Sequence, residues 1–127
     1  LDNENPFTLL NQAFLQGGFK IDIVDNSIIK DNIHIIHITT DNEIISNSRI
    51  LINVGKSAEI KIVQSFVNNK PNNSFVNHIT QINLKENSKV TLDKIQCIEG
   101  ENHICSEYIN QNSYSSFTIN TISIVGN

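Results

Sequence analysis

The sequence predicts an all-β fold, a parallel β-solenoid, and an internal repeat is the main reason. Ile52–Ile62 (INVGKSAEIKI) returns 30 residues later as Ile82–Leu92 (INLKENSKVTL), with apolar residues on the same positions. Ser115–Ile119 (SSFTI) fits about 27 residues further on, and Gly17–Ile21 (GGFKI) gives a fainter early copy. Each full copy has two apolar alternations around a polar turn, which predicts two short strands joined at a corner. So small a unit buries its apolar side only when copies stack with equivalent strands in parallel.

The composition suits one strand-rich domain and excludes several function classes. The chain has 127 residues, 39% of them hydrophobic, and isoleucine, which fits a pleated sheet well, is the dominant apolar residue. The net charge is −4 and the nine basic residues are scattered, which argues against binding to nucleic acid or anionic membranes. No apolar run approaches the roughly 20 residues that span a bilayer. Two cysteines are too few for a disulfide framework.

Residues 1–18 are predicted to form a polar leader and a capping helix. Asn5 is a suitable N-cap and Pro6 a suitable first helical residue, so the helix is expected over Pro6–Gln16, with Gly17 and Gly18 as its stop. Three apolar residues share one face at helical spacing: Phe7, Leu10 and Phe14. We expect this amphipathic helix to cover the open end of the solenoid, where strand N–H and C=O groups would otherwise be unpaired.

Residues 19–127 are predicted to be a partial solenoid core that is truncated at its C-terminal end. Strands are expected at 19–23, 28–29, 33–38, 50–66 with a corner inside, 75–84, 90–98, 104–109 and 117–125, with Thr40–Ser48 as a polar excursion. The loop Asn68–Ser74, centred on Pro71, is expected to be the longest. Because the chain ends on a strand with no cap, we expect the native chain to continue. We also expect the exposed strand edge to favour self-association.

Cys97, His103 and Cys105 form a candidate metal cluster, together with Glu99 or Glu101. Thiolate and imidazole suit zinc or iron. However, the two cysteines bracket a turn at a spacing that matches no compact metal motif, and no further thiolate exists. The sequence therefore favours ordinary buried or half-buried cysteines, and it assigns no metal ligand, cofactor-binding residue or catalytic residue.

His34 and His37 also resemble a ligand pair. Residues three apart on a strand point to opposite faces, so the two imidazoles are not expected to bind one ion. Solvent-facing or corner positions are predicted for both.

The acidic residues are dispersed among predicted turns, which favours a solvated face. Parallel β-helix enzymes that bind or cleave polysaccharides use outer-face carboxylates, so a protein of the pectate-lyase or adhesin type is the alternative function. Another alternative is an antiparallel β-sandwich or jelly roll made from the same strands. No phosphate loop, nucleophile elbow or zinc-protease motif is present, and this favours a scaffold over an enzyme.

The N-terminal string NPFTLLNQAFLQGGF, at Asn5–Phe19, and the strand IIKDNIHIIHIT, at Ile28–Thr39, closely resemble the start of the core domain of the SufB/SufD family, and of SufD in particular. The coil GKSAEIKIVQSF at Gly55–Phe66, the segment Gln96–Ile104 and the coil at Ser115–Ile119 continue the likeness to nearly the end of the chain. Ile33 departs from the family pattern, which has proline before the Ile-His strand.

The resemblance implies a right-handed parallel β-helix of the iron–sulfur cluster assembly machinery, in the cytoplasm or an organelle stroma. In that family SufB and SufD pair through their β-helices, and each carries the ATPase subunit SufC. The resemblance thus implies a non-catalytic scaffold with SufB-like and SufC-like partners. The iron–sulfur cluster is expected to be handled by the full complex, and none is expected on this fragment.

Overall fold

The computed structural model describes residues 3–69 and 73–125, which form one short helix and eight strands. Their bounds are α1 Pro6–Ala13, β1 Gly17–Ile23, β2 Ile33–Thr39, β3 Ile45–Val54, β4 Glu59–Asn68, β5 Phe75–Leu84, β6 Lys89–Ile98, β7 Asn102–Gln111 and β8 Ser116–Val125. Strands β1, β3, β5 and β7 lie side by side in sheet A, and β2, β4, β6 and β8 lie side by side in sheet B. Each odd strand and the even strand after it form one coil, so the described residues run through four coils.

Every strand pairing within the described residues is parallel, and this confirms the predicted parallel β-solenoid. It also excludes the antiparallel sandwich. The repeat predicts the register, since Ile52 pairs with Ile82 and Val90 pairs with Phe117. The fainter copy at Gly17–Ile21 lies beside Ser48–Ile52 in sheet A, so it repeats the first strand of the unit and not the second.

One half of the solenoid interior is filled by aliphatic side chains, and we call it the apolar half. It consists of the inward residues at the C-terminal ends of the odd strands and the N-terminal ends of the even strands: Ile21, Ile23, Ile52, Val54, Ile82, Leu84 and Ile109 from sheet A, with Ile33, Ile60, Ile62, Val90, Leu92 and Phe117 from sheet B. Ile52, Ile62 and Ile82 have no exposed surface. Each such side chain contributes about 1.5–3 kcal/mol by leaving water, which makes this half the main source of stability.

The corners between the sheets repeat one backbone geometry. Asn26, Ser57, Asn87 and Tyr114 occupy equivalent corner positions, with φ angles of 62°, 56°, 57° and 59°. Gly55 precedes one of these corners, and a Cβ there would lie 2.6 Å from the Asp25 nitrogen. The close stacking of the first two corners therefore requires glycine at that position.

The helix is shorter than predicted. Asn5 caps it as expected, with its Oδ1 accepting from Phe7 N at 2.9 Å, and Pro6 stands at the first position. The helix ends at Ala13 with Phe14 as its C-cap, so the prediction that Gly17 and Gly18 stop it is wrong. These glycines begin β1, where a Cβ on Gly18 would collide with the carbonyl of Arg49 in the neighbouring strand.

The helix also packs through a different face and in a different place. Its buried residues are Thr8 and Asn11, whereas Phe7 and Phe14 are exposed. Asn11 Nδ2 donates at 2.9 Å to the carbonyls of both Ser48 and Asn77. The helix therefore lies across the outer face of β3 and β5 and does not cover the open end of the solenoid.

The remaining strand predictions hold with small shifts, except that Ile28 forms only an isolated bridge with Glu59. Strand β5 has the predicted bounds, and the predicted polar excursion is shorter because β3 begins at Ile45. Lys70, Pro71 and Asn72 of the predicted long loop lie outside the described residues.

Candidate functional site in the polar half of the interior

The second half of the interior carries most of the chemistry of the molecule, and we call it the polar half. Its inward side chains include Ser46, Ser48, His78, Thr80, His103, Cys105 and Glu107 from sheet A, with His37, Gln64, Phe66, Lys94 and Gln96 from sheet B. The chain runs in opposite directions in the two sheets, so the N-terminal ends of the odd strands face the C-terminal ends of the even strands. In strands β2 to β8, the inward residues are apolar at one end of the strand and largely polar at the other.

Three histidines surround one phenylalanine in this half. The His37 ring stacks on Phe66 with centroids 4.3 Å apart and planes inclined by 8°. His103 contacts the same phenylalanine at 4.6 Å. His78 meets His37 edge-on at 4.4 Å. The three imidazoles thus pack as aromatic rings around an apolar centre.

A hydrogen-bond network holds the central histidine. Ser48 Oγ lies 2.7 Å from His78 Nδ1, and Thr80 Oγ1 lies 3.0 Å from His78 Nε2. The Gln64 amide nitrogen lies 3.0 Å from His37 Nε2 and 3.1 Å from His78 Nε2. Because this amide comes from sheet B and His78 from sheet A, the network ties the two sheets together.

Burial keeps these imidazoles neutral at physiological pH. Burial, together with the smaller effect of neighbouring histidines, lowers the pKa of His37 to about 4 and that of His78 to about 3. Burial and the nearby Lys94 ammonium lower the pKa of His103 to about 4. Each imidazole therefore has one donor and one acceptor nitrogen to offer.

A buried ion pair lies beside the histidines. Lys94 Nζ donates to Glu107 Oε1 at 2.6 Å, and the Cys105 thiol donates to the same oxygen at 3.2 Å. Burial and the Glu107 carboxylate raise the pKa of Cys105. The thiol is therefore protonated, whereas a nucleophile or metal ligand must be a thiolate.

The candidate cluster of Cys97, His103 and Cys105 does not converge. Cys97 lies on the outer face of sheet B and is exposed, whereas Cys105 points into the interior from sheet A. Among residues 3–69 and 73–125, no three His, Cys, Asp or Glu side chains are placed to hold one metal ion. The geometry thus fits two separate cysteines.

His34 and His37 point to opposite faces, as the strand period predicts. His34 is exposed on the outer face, with its Nε2 2.8 Å from Ser65 Oγ. The solvent-facing prediction is wrong for His37, which lies inside between Phe66 and His78.

A cavity of about 220 Å³ opens beside the imidazoles. It is lined by His37, Thr39, Ser46, Ser48, Phe66, Val76 and His78, among others. Imidazole nitrogens and hydroxyls can hydrogen-bond water or a small polar solute there.

An amide ladder crosses the outer face of sheet A. Asn53 donates to Asp22 at 2.8 Å, Asn83 donates to Asn53 at 2.8 Å, and Asn110 donates to Asn83 at 2.7 Å. The Asn53 amide and then the Lys20 ammonium hold the pKa of Asp22 below its usual range. This carboxylate is therefore part of a structural ladder.

Other outer carboxylates pair with lysines, as in Lys61 with Asp93 at 2.9 Å and Lys56 with Glu86 at 3.2 Å. These pairs lie on different corners and strands. Within the described residues, no helix is both long and apolar enough to cross a membrane.

Fold and site together define the chain as a parallel β-solenoid protein with one polar, hydrogen-bonded half of its interior. The chain belongs to the family described as SUF system FeS cluster assembly, SufBD core domain, whose model matches residues 37–127. The match starts within β2 and runs to the end of the chain, so the family resemblance is confirmed over that range. The helix string at Asn5–Phe19 precedes it, and the likeness there stays a prediction. No curated protein and no solved structure shows a significant match.

Proposed function

We propose that this chain is a SufD-like scaffold subunit of an iron–sulfur cluster assembly complex, which pairs with a SufB-like subunit and a SufC-like ATPase. The observation that carries the proposal is the family match over residues 37–127, which takes in three complete coils. The cluster is the cargo of the assembled complex, and this chain itself holds no resident cofactor. We expect it to act in the cytoplasm or an organelle stroma.

The chemistry of the interior supports a scaffold role, in which the chain positions its partner subunits and does not itself catalyse a reaction. The Cys105 thiol is protonated, the Lys94 ammonium is occupied by Glu107, and the His78 imidazole is neutral and engaged on both nitrogens. A general base or nucleophile needs a group whose pKa is tuned toward the working pH. The pKa values of Cys105 and His78 are shifted away from it, so these side chains serve the internal structure of a stiff rod.

Co-purification tests the proposal. The intact reading frame is co-expressed with SufB-like and SufC-like subunits, and iron and sulfide are assayed on the purified complex. We expect a stable ternary complex that accumulates both. Ile82→Asp, which places a charge in the apolar half, should remove the chain from the complex and abolish loading. Ile45→Asp is the matched control, because Ile45 is 64% exposed.

Two results would contradict the scaffold role. One is that the intact chain does not bind either subunit. The other is that the remaining subunits accumulate the same iron and sulfide whether or not this chain is present.

A further inference from the structure

Gln64 lies between two buried imidazoles. Its amide nitrogen is 3.0 Å from His37 Nε2 and 3.1 Å from His78 Nε2, and Gln64 itself is 1% exposed. An amide nitrogen only donates, and its two hydrogens can serve both ring nitrogens. Each imidazole therefore accepts at Nε2 and carries its proton at Nδ1.

The other contacts of His78 agree with this arrangement of protons. Ser48 Oγ lies 2.7 Å from His78 Nδ1, where the hydroxyl oxygen accepts the ring proton. A second proton, at Nε2, would point toward the amide hydrogens of Gln64. It could instead donate to Thr80 Oγ1, 3.0 Å away, but the bond from the amide would still be lost. The bonds from Gln64 thus require that both imidazoles are neutral.

The charges around the two rings do not favour a cation. The titratable groups that face them come from β6, β7 and the corner between these strands: Lys94, Glu101, His103, Cys105 and Glu107. Burial above all, and then the neighbouring histidines, keep the pKa of His37 at about 4 and that of His78 at about 3. The Glu107 carboxylate is already paired with the Lys94 ammonium, so it does not compensate a second cation. A proton on either ring is therefore unfavourable while the polar half stays closed.

The two halves of the interior differ in what a proton can change. The cavity of about 220 Å³ lies against both His37 and His78, so water can hydrate an imidazolium once the sheets separate there. The inward side chains of the apolar half are aliphatic or aromatic and do not titrate. Tight corners such as Gly55–Ala58 and Lys85–Ser88 also join the sheets at that half, each closed by a backbone hydrogen bond. A proton therefore acts on one half alone.

We propose that the polar half is an acid-sensitive switch, which the Gln64 amide holds closed at neutral pH and which opens when His37 or His78 binds a proton. Opening separates the two sheets at the polar half, admits water and leaves the apolar half folded. The chain is thus a closed rod at neutral pH and a rod open along one side in acid. The inference goes beyond the proposed function and does not rest on it, since the chain is tested alone.

The tautomers of the histidines are the first test. The full chain is labelled with ¹⁵N-histidine, and long-range ¹H–¹⁵N correlations at pH 7 show which ring nitrogen carries the proton. His37→Gln and His78→Gln assign the two signals. We expect the Nδ1–H form for both rings, because Gln64 donates to both Nε2 atoms. An Nε2–H form in either ring would overturn the proposal, because the amide would then accept there.

Hydrogen exchange is the second test, and it compares the apolar end of β4, at Ile60–Ile62, with its polar end, at Gln64–Phe66. An unfolded histidine has a pKa of about 6.5. As the pH falls from there toward the folded value, each imidazole that titrates should raise the opening constant of the polar end up to about tenfold per pH unit. We expect this opening to depend little on urea, as local opening does, whereas the apolar end exchanges by unfolding of the whole chain.

Two exchange results would contradict the switch. One is equal protection of both ends of β4 at pH 5, which would mean that the chain opens as one unit. The other is a polar end whose protection does not change with pH, as simple fraying of a strand predicts.

Gln64→Glu tests the role of the amide. The change keeps the shape but replaces the donating nitrogen with a carboxylate oxygen, which accepts from an imidazolium. We expect the titration of His37 and His78 to move to higher pH by at least about one unit. Gln81→Glu is the control, because Gln81 points outward from the same strand as His78. A titration no higher in Gln64→Glu than in Gln81→Glu rules the proposal out. The first two tests do not alter Gln64, so they decide the question even when this variant does not fold.

Discussion

The two halves of the solenoid interior fill the same kind of space with opposite chemistry. In sheet A, Ile52 lies beside Ile82 in the apolar half, and four residues earlier Ser48 lies beside His78 in the polar half. Aliphatic packing gains free energy from burial alone. A buried polar group must instead find a partner, and each hydrogen bond then contributes only about 0.5–1.5 kcal/mol net. The comparison teaches that the apolar half stabilises the fold, whereas the polar half tolerates little change in charge or pairing.

Among the substitutions at neutral pH, breaking the buried ion pair should have the largest effect on this comparison. Lys94→Met leaves the Glu107 carboxylate without its cation in the interior, where the lysine and glutamate side chains are 8% and 18% exposed. We expect a loss of about 3–5 kcal/mol in the free energy of unfolding, measured with urea. The double variant Lys94→Met/Glu107→Leu should regain most of it, because no unpaired charge remains.

Lys61→Met breaks the exposed pair with Asp93 and is the matched control. It should cost less than about 1 kcal/mol. Equal losses for the buried and exposed lysines would show that the polar half is effectively solvated.

Creating a cavity in the apolar half should lower the free energy of unfolding. Ile82→Ala deletes a fully buried side chain and should cost about 2–5 kcal/mol. Ile45→Ala, at an exposed position, should change the unfolding free energy by less than about 0.5 kcal/mol. A small loss for Ile82→Ala would mean that the stacked coils collapse around the space.

Lowering the pH should weaken the polar half selectively. In the folded chain the pKa values of His37, His78 and His103 are about 4, 3 and 4, whereas an unfolded histidine has a pKa of about 6.5. The unfolded chain therefore binds more protons as the pH falls below about 6.5. Each histidine then removes up to about 1.4 kcal/mol of stability per pH unit until its folded pKa is reached.

Urea melts at pH 7, 6, 5 and 4 would measure this slope. His78→Gln should reduce it. A flat profile from pH 7 to pH 5 would contradict the buried neutral state.

Removing the Thr80 hydroxyl should have the smallest effect on the free energy of unfolding. Thr80→Val keeps the shape but removes the Oγ1 that lies 3.0 Å from His78 Nε2 and 3.1 Å from Gln64 Nε2. We expect a loss of about 1 kcal/mol. Thr118→Val, at an exposed position on sheet B, should have no measurable effect in the same urea melts.

The repeat predicts most of the fold because strand register depends on a strict two-residue period. The predicted strand Phe75–Leu84 has the bounds found, and Ile82 pairs with Ile52 as the repeat aligns them. The helix face was not predictable in this way. Asn11 is buried because its amide finds carbonyls 37 and 66 residues away, and no local period encodes such partners.

The sequence could predict only part of the candidate site. The alternation Ile60, Ile62 continues inward to Gln64 and Phe66, so carrying the pattern on would have placed an amide inside the solenoid. The partnership of Lys94 with Glu107 could not be inferred, because the two residues lie on different sheets and only the folded corner brings them together.

Each asparagine of the amide ladder on sheet A donates to the residue one coil earlier, and the ladder ends at Asp22. Deamidation should therefore not affect every asparagine of the ladder equally. Deamidation turns a donating amide into a carboxylate that only accepts. At Asn110 this would remove one hydrogen bond at the edge of the ladder. At Asn53 it would also set a new carboxylate directly beside Asp22, with two like charges on adjacent strands. Deamidation should therefore weaken the ladder most at Asn53, the asparagine beside Asp22.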